Sequence, residues 1–242
     1  MIYCIDIGNT NVVCAKWNGI KYCEFHRFDT NIPLDKHLNS LDFKNVKNIV
    51  LSSVVPRITK YYTDKINNKN IFIVNHLNCK INLKVDSPNE VGPDRICNSY
   101  AASKKYSPPI IIVDFGSATT YDVIDKNGSF IGGAIAPGID ISAYNLIKKT
   151  ALLKKAIFKF PDKTIGKNTI ENLKSGIMLG GVDSVDGMLK RIKNELNNKG
   201  KLTILLTGGF SSLISPMLKT KHFLVPNLTL DGMRLIFKHN QN

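Results

Sequence analysis

The sequence predicts an α/β protein built from two duplicated β-meander halves. Three observations carry this. An apolar run closing on Asp-x-Gly and small polar residues occurs twice, as "CIDIGNTN" (Cys4 to Asn11) and as "VDFGSATT" (Val113 to Thr120). Each run leads into a second strand-like segment that ends in Asn-Gly, at Asn18-Gly19 and Asn127-Gly128, a strong hairpin signal. In each half a third strand-like segment and a helix then follow. One Asp-x-Gly would be a chance match; the same frame around both points to internal duplication.

The elements follow in order. "IYCIDIG", "NTNVVCAKW" and "KYCEFHRFD" read as three strands, and "IPLDKHLNSL" as a helix. "VKNIVLSSVV" is a buried strand, "PRITKYYTDKINN" a helix with Pro56 at its first position, and "IFIVN" a strand. Residues Asn82 to Asp94 read as a loop, and "DRICNSYAASKKY" as a helix closed by Pro108-Pro109. The second copy runs "IIIVDFG", "ATTYDVID", "SFIGGAIAPG" and the helix "IDISAYNLIKKTA". Asn168 and Glu171 have capping-box spacing. Beyond them Val182, Val185, Leu189, Ile192 and Leu196 recur at helical intervals, predicting a long amphipathic helix. "LTILLTGG" is a buried strand, and "LTLDGMRLIFKH" a closing helix. The boundary falls at Pro108-Pro109, giving domains 1–108 and 109–242.

Composition narrows the function classes. The chain has 242 residues, 43% of them hydrophobic, enough for a substantial core. It lacks an apolar run of the ~18 residues that would span a bilayer, and no signal segment opens it. The expectation is a cytoplasmic protein without a membrane partner. Five scattered cysteines, with no Cys-x-x-Cys pair, read as small buried hydrophobes in a reducing compartment. The cysteines and histidines lack zinc-site spacing. The formal charge of +14 comes mostly from Lys spread through an Asn-rich sequence. A nucleic-acid face would show clustered Arg or interleaved aromatics, so charge alone does not predict a nucleic-acid partner.

The chemistry should sit at the two Asp-x-Gly turns. An apolar strand ending this way puts a carboxylate at a strand tip, and the Gly lets the backbone turn tightly beside a ligand. Asn9, Thr10 and Asn11 supply backbone N–H groups and short side-chain donors for phosphate oxygens. A carboxylate repels phosphate but can hold Mg²⁺ through the metal's waters. One such motif alone is an ordinary hairpin with a solvated Asp. Two of them, with a third glycine turn at "TGG" (Thr207 to Gly209), point to nucleotide binding.

Two halves of this kind resemble the superfamily of actin, sugar kinases and heat-shock chaperone ATPases. That resemblance implies two ribonuclease-H-like (actin-like ATPase) domains with a nucleotide cleft between them. The ordered strings "DIGNTN", "SSVVP", "EVGPDR", "VDFGSATT", "GGAIAPG", "IGKNT" and "TGG" resemble type III pantothenate kinase over nearly the whole chain. What the resemblance implies is ATP-dependent phosphorylation of pantothenate, the first step of coenzyme A synthesis, in a homodimeric enzyme using Mg²⁺ and potassium (or ammonium).

The family's residues carry over onto matching positions. Asp6, Ile7, Gly8, Asn9, Thr10, Asn11, Val12 and Val13 match its first phosphate loop, with Asp6 the Mg²⁺ anchor. Asp94 matches the proton acceptor. Gly92, Pro93, Asp94 and Arg95 match the pantothenate motif, and Thr169 a further substrate contact. Asp114 matches the monovalent-cation ligand, and Ser117 a position touching ATP. The chain departs from the family in two places. Val85 stands where the "Y-D-N-P" loop has an aromatic, and Ser117 replaces Thr in "D-x-G-T-A-T-T". From the residues alone, Asp94 is equally an N-cap of the helix that follows it, and Arg95 is either a carboxylate or phosphate fork or an ion-pair partner of Asp94. Two further readings stay open: a nucleic-acid-binding accessory of transcription, a role for which relatives have been named, and a kinase of another small alcohol.

Overall fold

The structure, a computed structural model, describes residues 1–66, 68–149, 158–197 and 200–241. Its first sheet comprises β1 (Ile2–Ile7), β2 (Asn11–Trp17), β3 (Tyr22–Asp29), β4 (Asn48–Ser53) and β5 (Asn70–Ile73), in the order β3-β2-β1-β4-β5. The second comprises β6 (Ile110–Phe115), β7 (Ala118–Ile124), β8 (Phe130–Pro137), β9 (Thr203–Gly208) and β10 (Phe223–Leu224), in the order β10-β9-β6-β7-β8. Counted from each Asp-x-Gly strand, the two orders are the same, so the duplication extends from motif to topology. In both sheets the later strands join in parallel: β4 beside β1, β5 beside β4, β9 beside β6, and β10 beside β9.

Strand alternation splits the first sheet into two apolar faces. Tyr3, Ile5 and Ile7 of β1, with Ile49 and Leu51 of β4, pack against α2 (Pro56–Lys65) through Ile58 and Tyr62. The other face, with Ile2, Cys4 and Val50, packs against α3 (Pro93–Lys105) and the closing C-terminal helix (Leu228–Gln241) through Ile96, Cys97, Met233 and Ile236. Burial on both faces explains why β1 and β4 read as near-continuous apolar runs. A short helix, α1 (Leu34–Asn39), follows β3.

The chain divides into two compact units. One holds Met1–Pro108, Val123–Gly132 and Asn227–Asn242, and the other Pro109–Asp122 and Gly133–Pro226. Within the first unit both Asn-Gly turns are braced by a side chain. Asn18 Oδ1 accepts the N–H groups of Ile20 and Lys21, each at 2.9 Å. Asp125 Oδ1 accepts those of Asn127 and Ser129, also at 2.9 Å. The closing helix is held by Asp231, which is buried and accepts from Tyr22 Oη (3.1 Å), Arg234 (3.4 Å) and Lys105.

In the second unit, Ile111, Val113 and Phe115 of β6 and Leu206 of β9 pack against α4 (Ile139–Lys148) and the long helical stretch predicted after Asn168. That stretch comprises α5 (Thr169–Lys174), one π-helical turn (Ser175–Leu179) and α6 (Gly180–Glu195). The turn begins beside Gly176, whose low helix propensity weakens regular α-geometry. Among the glycines of this stretch only Gly181 backs onto a neighbour, Ile139; Gly176, Gly180 and Gly187 face open space. The short α7 (Ser211–Ile214) and the two-residue β10 were not predicted, and the closing helix is α8. Thr150 and Ala151, the predicted end of the α4 helix, lie outside the described residues. Among the described residues no helix is long and apolar enough to cross a membrane. Cys4, Cys14, Cys79 and Cys97 are buried free thiols, and Cys23 is half-buried.

Candidate active site

In the first unit β1 delivers Asp6 near its carboxyl end. Asp6 is the register partner of Ser52 on β4, and by alternation both face the same side as Cys4 and Val50, towards α3. Burial pushes the Cys97 thiol well up, and the charges of Asp6 and Asp94 add to the effect. The two predicted carboxylates therefore lie within electrostatic reach of one buried side chain on α3.

Asp94 is not the helix cap. Pro93 holds the first position of α3 and Gly92 the N-cap, with no side-chain capping bond. Asp94 Oδ1 instead accepts the N–H of Arg95 at 2.8 Å. The carboxylate folds back over Gly92, where an added Cβ would lie 2.5 Å from Oδ1. Burial raises the Asp94 carboxyl above its ordinary value, partly offset by the Arg95 N–H and guanidinium. A raised pKa makes the ionised carboxylate a better proton acceptor. Arg95 lies over the ring of Phe130, 5.4 Å from its centroid, while its charge is felt by Asp94. Val85 is half-buried and packs against the same core, opposite Gly132.

The Gly8–Asn11 turn closes through Gly8 N–H on the Asn11 carbonyl at 2.9 Å. Ile7, Val12 and Val13 flank it, with Ile7 paired to Val12 and Asp6 to Val13. Asn11 Oδ1 accepts from Arg27 Nε at 3.2 Å. A residue the sequence did not single out, Thr30, bonds to this turn twice. Its N–H reaches the Thr10 carbonyl at 2.9 Å, and its hydroxyl the Gly8 carbonyl at 3.1 Å.

In the second unit β6 carries Asp114, the register partner of Thr207, and Phe115 pairs with Gly208. Gly208 has φ +85°, and a Cβ there would collide with Asp114 Oδ1 and lie 2.6 Å from Phe115 N. The backbone at the tip of β9 thus forms a floor directly beneath the carboxylate. The turn holding Ser117 is one residue tighter than its counterpart, with Gly116 N–H on the Ala118 carbonyl at 3.0 Å. The Ser117 carbonyl accepts Gly138 N–H at 3.1 Å. The last glycine of "GGAIAPG" therefore backs onto the protein's own turn.

Thr169 begins α5. The predicted cap is present: Asn168 Oδ1 accepts Glu171 N–H at 3.0 Å, and Glu171 Oε2 reaches back to Lys167 N–H at 2.8 Å. Thr169 lines a cavity of about 580 Å³ with Tyr121, Ile139, Leu173 and Val185. Of the predicted substrate residues, Val85 and Gly92 to Arg95 thus belong to the first unit and Thr169 to the second.

Two five-stranded sheets of one topology, each with Asp-x-Gly ending its central strand, give the chain the fold seen in actin-like ATPases and sugar kinases. An ATP- and polyphosphate-dependent glucomannokinase from Arthrobacter shares this fold (TM-score 0.53, 11% identity, 98% of each chain covered). So does a Campylobacter jejuni protein described as a putative Baf family transcriptional activator (TM-score 0.68, 19% identity, 99% of each chain). A family model described as type III pantothenate kinase matches residues 2–191. Proteins so named from Exiguobacterium sibiricum (38% identity, all of both chains) and Moorella thermoacetica (35%, 99% of this chain and all of that one) align end to end. The chain belongs to the type III pantothenate kinase family.

Proposed function

We propose that this protein transfers the γ-phosphoryl group of ATP to the primary alcohol of pantothenate, giving 4′-phosphopantothenate and ADP, the first step of coenzyme A synthesis. The observation that carries the reading is the placement of Asp94 in a chain of this family. It is a half-buried carboxylate with a raised pKa, at the start of a helix that packs on the face to which β1 delivers Asp6. In this reading Asp94 takes the proton of the alcohol as its oxygen bonds to phosphorus and the ADP oxygen leaves with the bond's electron pair. Phosphoryl transfer asks the protein mainly for positioning and charge neutralisation. Gly92, Pro93, Arg95 and Thr169 orient pantothenate, with Val85 replacing the aromatic contact. The turn Asp6 to Val13 and Ser117 hold the nucleotide. Residues 1–108 and 109–242 are the two copies of the duplication.

Among the described residues no three His, Cys, Asp or Glu side chains converge on a metal position. Asp6, on β1 beside the Gly8–Asn11 turn, is the carboxylate that would hold Mg²⁺ through the metal's waters. Bound there, the ion would neutralise phosphate charge. A potassium (or ammonium) ion fits beside Asp114, where the Gly208 backbone leaves no room for a Cβ. The same reading makes the enzyme cytoplasmic and homodimeric.

The test is ATP consumption with and without pantothenate, in potassium and then in sodium alone. Pantothenate-dependent turnover, faster in potassium, is expected. Its absence in both salts would overturn the assignment, and turnover with a different small alcohol would redirect it.

A further inference from the structure

We propose that Thr30 is a positioning residue that aims the amide groups of the Gly8–Asn11 turn at phosphate. The inference rests on the reading of that turn as a phosphate loop. In a planar trans peptide the C=O and the following N–H point in opposite directions. Thr30 holds the carbonyl of Gly8 with its hydroxyl and that of Thr10 with its N–H. These two bonds fix the two peptide units that carry the Asn9 and Asn11 N–H groups. Both N–H groups are thereby turned away from Thr30, towards the same side. The Gly8 N–H is already committed to the Asn11 carbonyl. What the turn offers an anion is therefore the pair Asn9 and Asn11, oriented by one residue from another element. Successive backbone N–H groups aimed alike are a recurrent anion-binding device.

The lever is itself anchored. Thr30 is 7% exposed and directly follows β3. The carbonyl of its neighbour Asp29 lies 3.2 Å from His37 Nε2, and His37 Nδ1 lies 3.2 Å from Tyr62 Oη. His37 is fully buried and stacked on Phe28 at 4.6 Å. Burial lowers its pKa, so the ring is neutral, donating to the carbonyl through Nε2 and accepting from Tyr62. In the second copy the corresponding turn is held by a main-chain bond from Gly138.

The competing reading is a buried threonine that merely closes the sheet, and it predicts lost stability without selective loss of nucleotide. The full-length protein would be compared with Thr30→Val, Thr30→Cys and Thr30→Ser for the KM of ATP, the KM of pantothenate, kcat, and calorimetric binding of a non-hydrolysable ATP analogue. Val keeps the shape and the backbone bond to Thr10 but loses the donor to Gly8; Ser keeps it, and Cys donates weakly. One neutral hydrogen bond corresponds to an effect of roughly five- to tenfold. That rise is expected for Thr30→Val in ATP KM and analogue Kd, with pantothenate KM within twofold, Ser near wild type and Cys between. Should the Val variant not fold, the Ser-to-Cys order still tests the idea. Unchanged analogue affinity, Ser falling with Val, or both KM values rising together would each overturn it. A wild-type protein that binds the analogue but never turns over pantothenate would sink the kinase reading, while loss of that binding in Thr30→Val would still support the role of Thr30.

Discussion

Asp94→Asn is expected to lower kcat by about 10²–10⁴-fold, the usual contribution of a positioned general base. Binding of an ATP analogue should change little, because Asn retains an oxygen that can accept the Arg95 N–H now held at 2.8 Å. The same substitution should leave stability at neutral pH unchanged or slightly improved. Asp94 has its folded-state pKa raised by burial. Between the ordinary carboxylate value and that raised value, the folded protein binds more protons than the unfolded one. Stability therefore falls as pH rises through this window, and the ionised Asp94 is a standing cost above it. Asn carries no charge and removes that cost. The acid limb of the kcat/KM profile in the wild type should accordingly lie above the usual carboxylate range. Near-normal kcat in the variant would dismiss Asp94 as the base. A clear drop in Tm would show that the carboxylate stabilises the fold.

What was legible in the sequence was local. The Asp-x-Gly strand ends, the Asn-Gly turns and the Asn168–Glu171 cap each announce themselves within a few residues, and each is present. The matching strand orders follow from the repeat. Asp94 as a cap failed for a local reason of the opposite kind: Pro93 favours the first helical position, which moves the cap to Gly92. The π-turn at Ser175–Leu179 was not legible, because it precedes the helical period, which was read only from Val182 onward. Nor was Thr30. Its meaning lies in carbonyls as far as 22 residues away, and an isolated Thr after a strand has no signature. The carry-over of Asp6, Asp94 and Asp114 came from motif order. Geometry then added which backbone lies under two of those carboxylates, Gly92 under Asp94 and Gly208 under Asp114.

Gly208→Ala is the second large effect. The residue sits at φ +85°, a region in which an L side chain is strained by about 1–2 kcal/mol. The new methyl would also meet Phe115 N and the Asp114 carboxylate. The Phe115 N–H cannot retreat easily, since β6 and β9 are paired through Asp114–Thr207 and Phe115–Gly208, so the Asp114 carboxylate must turn aside. The combined cost should be about 2–4 kcal/mol, read from urea unfolding. Because the carboxylate moves, the concentration of potassium needed for half-maximal activity should rise well beyond the loss in stability, measured where the variant is still folded. Gly187→Ala is the control. It lies within α6 with open space where its Cβ would go, and it should stabilise by about 0.5–1 kcal/mol without touching the potassium response. A Gly208 variant that is destabilised but keeps its potassium curve would reduce this glycine to a packing role and detach Asp114 from the cation. A variant unaltered in both respects would mean that the strand tip is not held as the structure shows.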